Sequence, residues 1–278
     1  NCDILLMSAT PIPRTLILAT YGDMDVSQLI EKPSYRKEII TLSKPEEKIN
    51  EILIFLKKQI VYGNQVFWVC PLIEESKKLD YSAAIKKFDQ LSKVFNDKVG
   101  IIHGSLNKDE KDKVLNKFLN KEIDILVSTT IIEVGIDFPN ANIIIIENAN
   151  KFGLSQLHQL RGRVGRGNKQ ATCILLFKKN LSQNARKRIK ILKSSNDGFL
   201  IAEEDMNLRG FGDVLGFQQS GIKNFKLADP VHHKDLFVIA EKNIREIELN
   251  ESNFKKYDFL LKLFDKADII NQLNYLLD

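Results

Sequence analysis

Arginine is the cation this chain has little of. Nine arginines stand against 32 lysines among 278 residues, so positive charge as such is supplied by lysine. Cysteine is scarcer still: Cys2, Cys70 and Cys173 are odd in number, far apart, and without CxxC or Cys/His spacing. That excludes a disulfide framework and a zinc module. It reads as a protein of a reducing, cytoplasmic compartment, with Cys70 and Cys173 as small buried residues of apolar runs. No apolar stretch approaches the roughly eighteen residues of a membrane span, and no signal peptide is visible, so no membrane partner is expected. No internal repeat or low-complexity segment stands out. A G-x-x-x-x-G-K-[ST] loop is also missing, which excludes that type of phosphate cradle from this chain. Nor is there an initiator Met: NCDILLMSATP opens inside an expected strand, and the chain reads as the downstream piece of something longer.

What is present is an ordinary globular composition, 44% hydrophobic and 28% charged. The net charge of +5 permits a polyanionic partner without requiring one. The few arginines are not scattered. Arg161, Arg163, Arg166, Arg186, Arg188 and Arg209 fall within one short region. Against a lysine background, such a cluster points to the planar fork of the guanidinium, which grips two phosphate or carboxylate oxygens at once.

The hydrophobic pattern predicts alternating strands and helices. ILLMSA at 4–9 reads as a strand, with a helical stretch after Pro13, and EIITLS precedes an amphipathic helix over 46–61. Strands follow at 65–72, 99–104, 124–129, 141–149 and 170–178. Helices lie at 77–95, 108–120, from about 154, and from near 182. The strands are short, rich in Val, Ile and Leu, and apolar on both faces, the signature of a parallel sheet covered on both sides by helices. That is a doubly wound α/β layer, in which ligands bind at the carboxyl ends of the strands. Beyond about 195 the strand pattern stops. The glycine-punctuated segment 207–221 is followed by helical stretches near 230–248 and 252–277.

Four segments carry residue types suited to chemistry. STTIIEVGID at 128–137 offers hydroxyls and backbone N–H groups to phosphate oxygens, but an ordinary strand-to-helix loop has the same composition. His103 in IIHGSL has no second ligand at metal spacing and reads as a turn residue; no metal is expected. RGFGDVLG at 209–216 has dinucleotide-like glycines in the wrong context, after an acidic helix-like stretch and not after a strand. QLHQLRGRVGRG at 156–167 is the strongest signal. Leu154, Leu157 and Leu160 share one helical face, with Gln156, Gln159 and Arg163 on another. Two glycines beside forked arginines would be wasteful on a solvated face and make sense where a phosphate approaches the backbone.

SATPIPRTL, STTIIEVGID and QLHQLRGRVGRG, in this order and at about this spacing, resemble motifs III, V and VI of superfamily 2 helicases. WVCPLIEES, IIENA and SSNDGF extend the resemblance over nearly the whole chain to the RecG family of bacterial DNA translocases, which remodel stalled replication forks. The resemblance implies a RecA-like, P-loop-NTPase-type parallel sheet with helices on both faces, the second motor lobe, followed by a helical hairpin and C-terminal helices. It implies four parts: the end of a first lobe at 1–30, the second lobe at 31–181, a hairpin and loop at 182–225, and a helical region at 226–278.

Residue by residue, Ser8 and Thr10 match the motif that couples nucleotide state to DNA. Thr129 and Thr130 match positions on the DNA backbone, while Gly135 and Asp137 lie toward the nucleotide. Gln159, Arg163 and Arg166 match the motif whose arginines reach the γ-phosphate, with Arg166 as the arginine finger. Arg188 and Gln219 match residues of the hairpin-and-loop motif thought to convert cleft closure into movement along duplex DNA. The implied cofactor is ATP with Mg²⁺, both held mainly by an upstream lobe this chain does not contain, so the chain alone is expected to be inactive. The implied partners are branched double-stranded DNA, including forks and Holliday junctions, and single-strand-binding protein, with the protein acting as a bacterial, cytoplasmic monomer. Two alternatives stand beside this one: a transcription-repair coupling translocase of the Mfd type, and a non-catalytic nucleic-acid-binding module with a RecA-like fold.

Overall fold

The computed structural model describes residues 36–71, 77–129, 138–209 and 233–248, with the isolated positions 5, 7, 27, 29, 31 and 33. The strand and helix expected at the start of the chain and the helix expected at 252–277 lie outside the described residues. The chain divides into two compact units, one of residues 1–12 and 28–210, the other of 13–27 and 211–278.

The first unit holds six strands among its described residues: β1 (Ile40–Pro45), β2 (Gln65–Val69), β3 (Val99–Ile102), β4 (Ile125–Ser128), β5 (Ala141–Ile146) and β6 (Thr172–Phe177). They form one sheet in the order β1-β6-β5-β2-β4-β3, and every pairing is parallel. Its helices are α1 (Ile49–Val61), α2 (Lys77–Phe95), α3 (Lys108–Leu119), α4 (Leu154–Arg161), α5 (Gln183–Ser194) and α6 (Gly198–Arg209). In the second unit the described element is α7 (Lys234–Glu248).

The doubly wound reading holds because successive strand residues feed opposite layers, as the two-residue period of a strand requires. Phe67, Val69, Leu126, Ile144, Ile146, Cys173 and Leu175 join a core with Leu115 and Phe118 of α3, Leu154, Leu157 and Leu160 of α4, Ile189 and Leu192 of α5, and Ile201 of α6. Val66, Trp68, Ile125, Val127, Ile143, Ile145, Ile174 and Leu176 face the other way, onto Ile52 and Leu56 of α1 and Ala84 and Leu91 of α2. Each of the larger side chains buried here contributes about 1.5–3 kcal/mol relative to an exposed one. Phe67, Phe118 and Phe138 close the first core as a ring trio with centroids 5.3–5.6 Å apart.

Helix starts are set by side chains where the sequence supplies them. Asn107 accepts from the Glu110 N–H at 2.8 Å while the Glu110 carboxylate accepts from the Asn107 N–H at 3.0 Å, a reciprocal cap on α3. Ser182 accepts from the Ala185 N–H to start α5. Most expected strands are a residue or more too long at the carboxyl end: Cys70, Glu147 and Lys178 already lie beyond their ladders. Those trimmed ends carry Thr129 and Glu147, whereas the loop of Arg163 and Arg166 returns to the amino ends of β5 and β6.

Candidate functional site

The central strand ends are tied one residue past the ladder. Cys70 N–H donates to the Ser128 carbonyl and Glu147 N–H donates to the Val69 carbonyl, at 2.8 and 2.9 Å, so the ends of β4, β2 and β5 stay in line. Thr129, the first residue after β4, is wholly buried. Its Oγ1 and the Oγ of Ser128 have no hydrogen-bond partner, and neither do the Oδ1 atoms of Asn148 and Asn150 after β5. Buried polar atoms are normally satisfied; these four lie at the ends of β4 and β5, while Trp68 Nε1, Asn142 Oδ1 and Asp205 Oδ1 are orphaned elsewhere in the unit. Thr130, Gly135 and Asp137 lie outside the described residues, as do Ser8, Thr10 and Gln219.

Beside Thr129 stands a cluster that sequence reasoning missed. Lys87 of α2 reaches over the Trp68 ring, 5.2 Å from its centroid, and pairs with Glu147 at 2.7 Å. The other carboxylate oxygen of Glu147 accepts from the Cys70 thiol at 3.4 Å. Burial pushes that thiol's pKa well up, and the Glu147 carboxylate pushes it the same way. Cys70 is therefore an inert buried donor, as expected of a structural cysteine. The signal for this cluster was an acid placed directly after the four isoleucines of β5.

From β5 the chain turns through Asn148, whose φ of 48° is left-handed, and a short 3-10 turn at Ala149–Lys151 into α4. Leu154, Leu157 and Leu160 are buried, fixing which face of α4 looks outward. Gln156 and Gln159 are exposed on that face. The backbone N–H of Gly153 donates to Gln156 Oε1 at 3.0 Å and closes the helix start. Arg163 does not share the helix face with Gln159, because α4 ends at Arg161.

The three closely spaced arginines part company here. Arg161 is 2% exposed and turns inward. Its guanidinium donates to the carbonyls of Leu192 at 2.6 Å and Ser195 at 2.9 Å, at the C-terminal end of α5, and to Thr41 Oγ1 at 3.3 Å. The orphan carbonyls of a helix end carry partial negative charge, so this is a cationic cap on α5. A fourth contact joins it to His158 Nδ1 at 3.0 Å; a guanidinium only donates, so that nitrogen accepts. Burial pulls the Arg161 pKa down from its usual value, yet the group stays charged and hydrogen-bonded.

Arg163 and Arg166 are half-buried in the loop after α4. Partial burial pulls the Arg163 pKa down, and the charge of Arg166 adds to the effect. Arg163 has no carboxylate or hydrogen-bond partner among the described residues. Two adjoining cations, one of them unneutralised, form a ready anion site.

Gly165 and Gly167, on either side of Arg166, answer to the protein's own packing. Gly165 has φ +72°, and a Cβ there would meet Ala171 Cβ at 2.9 Å; a Cβ on Gly167 would meet the Pro139 carbonyl oxygen at 2.9 Å. Packing thus accounts for Gly165 and Gly167 but not for Gly162, whose Cβ would meet only ordinary contacts at 3.4 and 3.5 Å, and the anion reading rests on Arg163 and Arg166.

Arg188 of α5 points back toward α4. Its guanidinium donates to the Phe152 carbonyl at 2.5 Å and the Asn150 carbonyl at 3.1 Å. Arg161 therefore holds the end of α5 while Arg188 holds the turn that leads into α4. Ser155 of α4 donates to Asp205 of α6 at 2.5 Å. The arginine-bearing helix and the two helices after β6 are locked together by polar contacts at three points.

Residues 36–168 match the family described as Helicase conserved C-terminal domain, and residues 195–266 match ATP-dependent DNA helicase RecG, domain 3, C-terminal. The ATP-dependent DNA helicase RecG of Bacillus subtilis is 45% identical over 259 residues, and that of Thermotoga maritima 46% identical over 249. The chain belongs to the RecG family.

A solved structure of RecG bound to a three-way DNA junction superposes with a TM-score of 0.66 at 44% identity, over 83% of this chain and 30% of that one. The chain spans 38% of the Bacillus relative and 32% of the Thermotoga one, and corresponds to the C-terminal region of such proteins. The parallel six-stranded layer is accordingly the RecA-like fold of a helicase C-terminal lobe. Arg163 and Arg166 sit on the loop after α4, Thr129 just past β4, and Arg188 on the first helix after β6. No group of three or more metal-ligating side chains occurs among the described residues. The donor set here suits an anion and not Mg²⁺. No helix of the described residues is long and apolar enough to cross a membrane.

Proposed function

We propose that this chain is the second motor lobe, with adjoining C-terminal helices, of an ATP-driven double-stranded DNA translocase that remodels stalled forks and Holliday junctions in the bacterial cytoplasm. The observation that carries the reading is the pair Arg163 and Arg166, on the loop that returns from α4 to the amino ends of β5, β6 and β1 in a RecA-like sheet, with Arg163 left without a carboxylate among the described residues. Arg166 is the finger that meets the γ-phosphate as negative charge shifts during phosphoryl transfer, a contribution typically worth about 10³–10⁵ in turnover. Arg163 shares that charge, and Gln159, exposed one turn earlier, orients the reacting groups.

ATP with Mg²⁺ would supply the phosphoanhydride and its counter-charge from the partner lobe. On this side of the cleft, Gly135 and Asp137 line the nucleotide. Thr129, Thr130, Ser8 and Thr10 bear on the DNA backbone, and the orphaned hydroxyl of Thr129 supports that role. The domain limits read from the sequence (1–30, 31–181, 182–225 and 226–278) belong to the same proposal, as do single-strand-binding protein as a partner and monomeric action.

Arg188 and Gln219 couple hydrolysis to movement. The grip of Arg188 on the turn before α4 supports its assignment, because displacement of the arginine-bearing helix would pull on α5.

The test uses the intact protein with fork DNA. Arg166→Ala should leave ATP binding largely in place and collapse DNA-stimulated hydrolysis; hydrolysis at the wild-type rate would refute the finger. Arg188→Ala and Gln219→Ala should spare much of the hydrolysis and impair unwinding, and equal loss of both activities would count against coupling.

A further inference from the structure

Helix α5 carries Arg186, Lys187, Arg188, Lys190 and Lys193 and not one acidic residue. Like charges a turn apart repel along a helix, so stability alone does not account for this composition. Arg188 is engaged by backbone carbonyls, as described above. Arg186, Lys190 and Lys193 recur at i, i+4 and i+7, a spacing that puts them on one helical face. All three are exposed and none has a carboxylate or hydrogen-bond partner among the described residues. They rim a groove of about 370 Å³ whose floor is apolar: Phe177 at the end of β6, Leu181, and Ile189 of α5, with Ser43 of β1 on the far wall. The half-buried Phe177 and Leu181 pack on the first core.

We infer that this groove docks an acidic peptide segment that carries large apolar side chains. Charge complementarity supplies the first half of the argument: three unpaired cations on an exposed rim attract carboxylates, and lysine, a point charge on a flexible stem, accepts them at no fixed geometry. The floor supplies the second half. A duplex is a convex cylinder whose phosphates would rest on the rim and leave Phe177, Leu181 and Ile189 uncovered, whereas a leucine or phenylalanine fills such a floor. Buried apolar anchors with a charged rim are the usual anatomy of a protein-binding surface. The site is separate from the Arg163/Arg166 pair, and it lies on the helix that Arg161 and Arg188 tie to α4. A partner held here would travel with the arginine-bearing helix.

The experiment measures anisotropy of a fluorescein-labelled peptide, Asp-Asp-Leu-Phe-Asp-Asp, titrated with the intact protein. A peptide with serine for leucine and phenylalanine serves as a control, and an unlabelled short duplex as competitor. Saturable binding of the probe is expected, weakened about tenfold or more by the double change Lys190→Glu, Lys193→Glu, and by a similar factor for the serine peptide. Leu181→Ser should weaken the probe and leave the weak binding of the serine peptide unchanged. These lysines are exposed, and thermal unfolding of the variants checks that they fold. Equal binding of the two peptides would overturn the proposal and leave a plain polyanion face. Stoichiometric displacement of the probe by the duplex would overturn it in favour of DNA, and absence of saturable binding would overturn it outright.

Discussion

Replacing Arg161 by methionine should loosen the lobe without touching the anion site. Methionine keeps most of the stem that packs beside α4 and removes the guanidinium. Two carbonyls at the end of α5, those of Leu192 and Ser195, then lose donors at 2.6 and 2.9 Å. A hydrogen bond from a charged donor contributes about 1.5–3 kcal/mol, so the two together are worth roughly 3–6 kcal/mol. Removing the charge also removes the cost of burying it, the same cost that pulls the Arg161 pKa down. The net loss is about 2–4 kcal/mol. For a cooperative unit of this size that lowers the thermal midpoint by roughly 5–15 °C.

Differential scanning fluorimetry reads the shift. Hydrogen exchange locates it, with amides of 183–195 gaining exchange before those of β2 and β5. Arg163→Met and Arg166→Met, at half-buried positions in the loop, should stay within about 2 °C of the parent, since exposed or half-exposed charges hold little stability. An Arg161→Met midpoint within that same band would refute the view that this arginine is a structural cap.

Three further outcomes follow from local geometry. Gly165→Ala places a Cβ at a left-handed φ and against Ala171, so it should cost about 1–3 kcal/mol in a denaturant titration, with the midpoint lowered and the slope unchanged. Cys173, wholly buried, has its thiol pKa pushed up to about 12, and that of Cys70 is pushed higher still; neither should react with a thiol reagent at pH 8 until denaturant unfolds the sheet. Asp124 is partly buried at the start of β4 and has its pKa raised by that burial. A carboxylate whose folded pKa lies above its unfolded one binds more protons when folded, so stability falls as pH rises between the two values. Asp124→Asn should therefore raise the thermal midpoint at pH 7 and lose that advantage as pH falls through the raised pKa. An unchanged midpoint at both pH values would show the burial to be without consequence.

The layer architecture was legible because strands apolar on both faces leave few alternatives, and each alternates into two real cores. Phe67 and Val69 face one side, Val66 and Trp68 the other, as a period of two demands. The starts of α3 and α5 were legible too, since Asn107 and Ser182 cap locally. Strand ends were read too long because apolar composition runs past the last ladder pair, and only pairing partners say where a ladder stops. The Glu147–Lys87–Cys70 cluster escaped because its members come from just past β5, from α2 and from just past β2, and meet only when the sheet is assembled.

By itself, then, the amino-acid sequence determined the class of fold, the family, and the one segment where scarce arginines gather. It did so through local periodicity and motif spacing, which need no knowledge of distant neighbours. Only the tertiary structure decided which arginine is taken up by the fold. Within RGRVGRG the three guanidiniums are chemically alike, and their roles diverge through groups far along the chain. Arg161 is claimed by carbonyls 31 and 34 residues on and by a hydroxyl 120 residues back, while no carboxylate among the described residues neutralises Arg163. Gly165 and Gly167 were decided the same way, by Ala171 and Pro139, because what a missing Cβ makes room for depends on which chain segment packs against it.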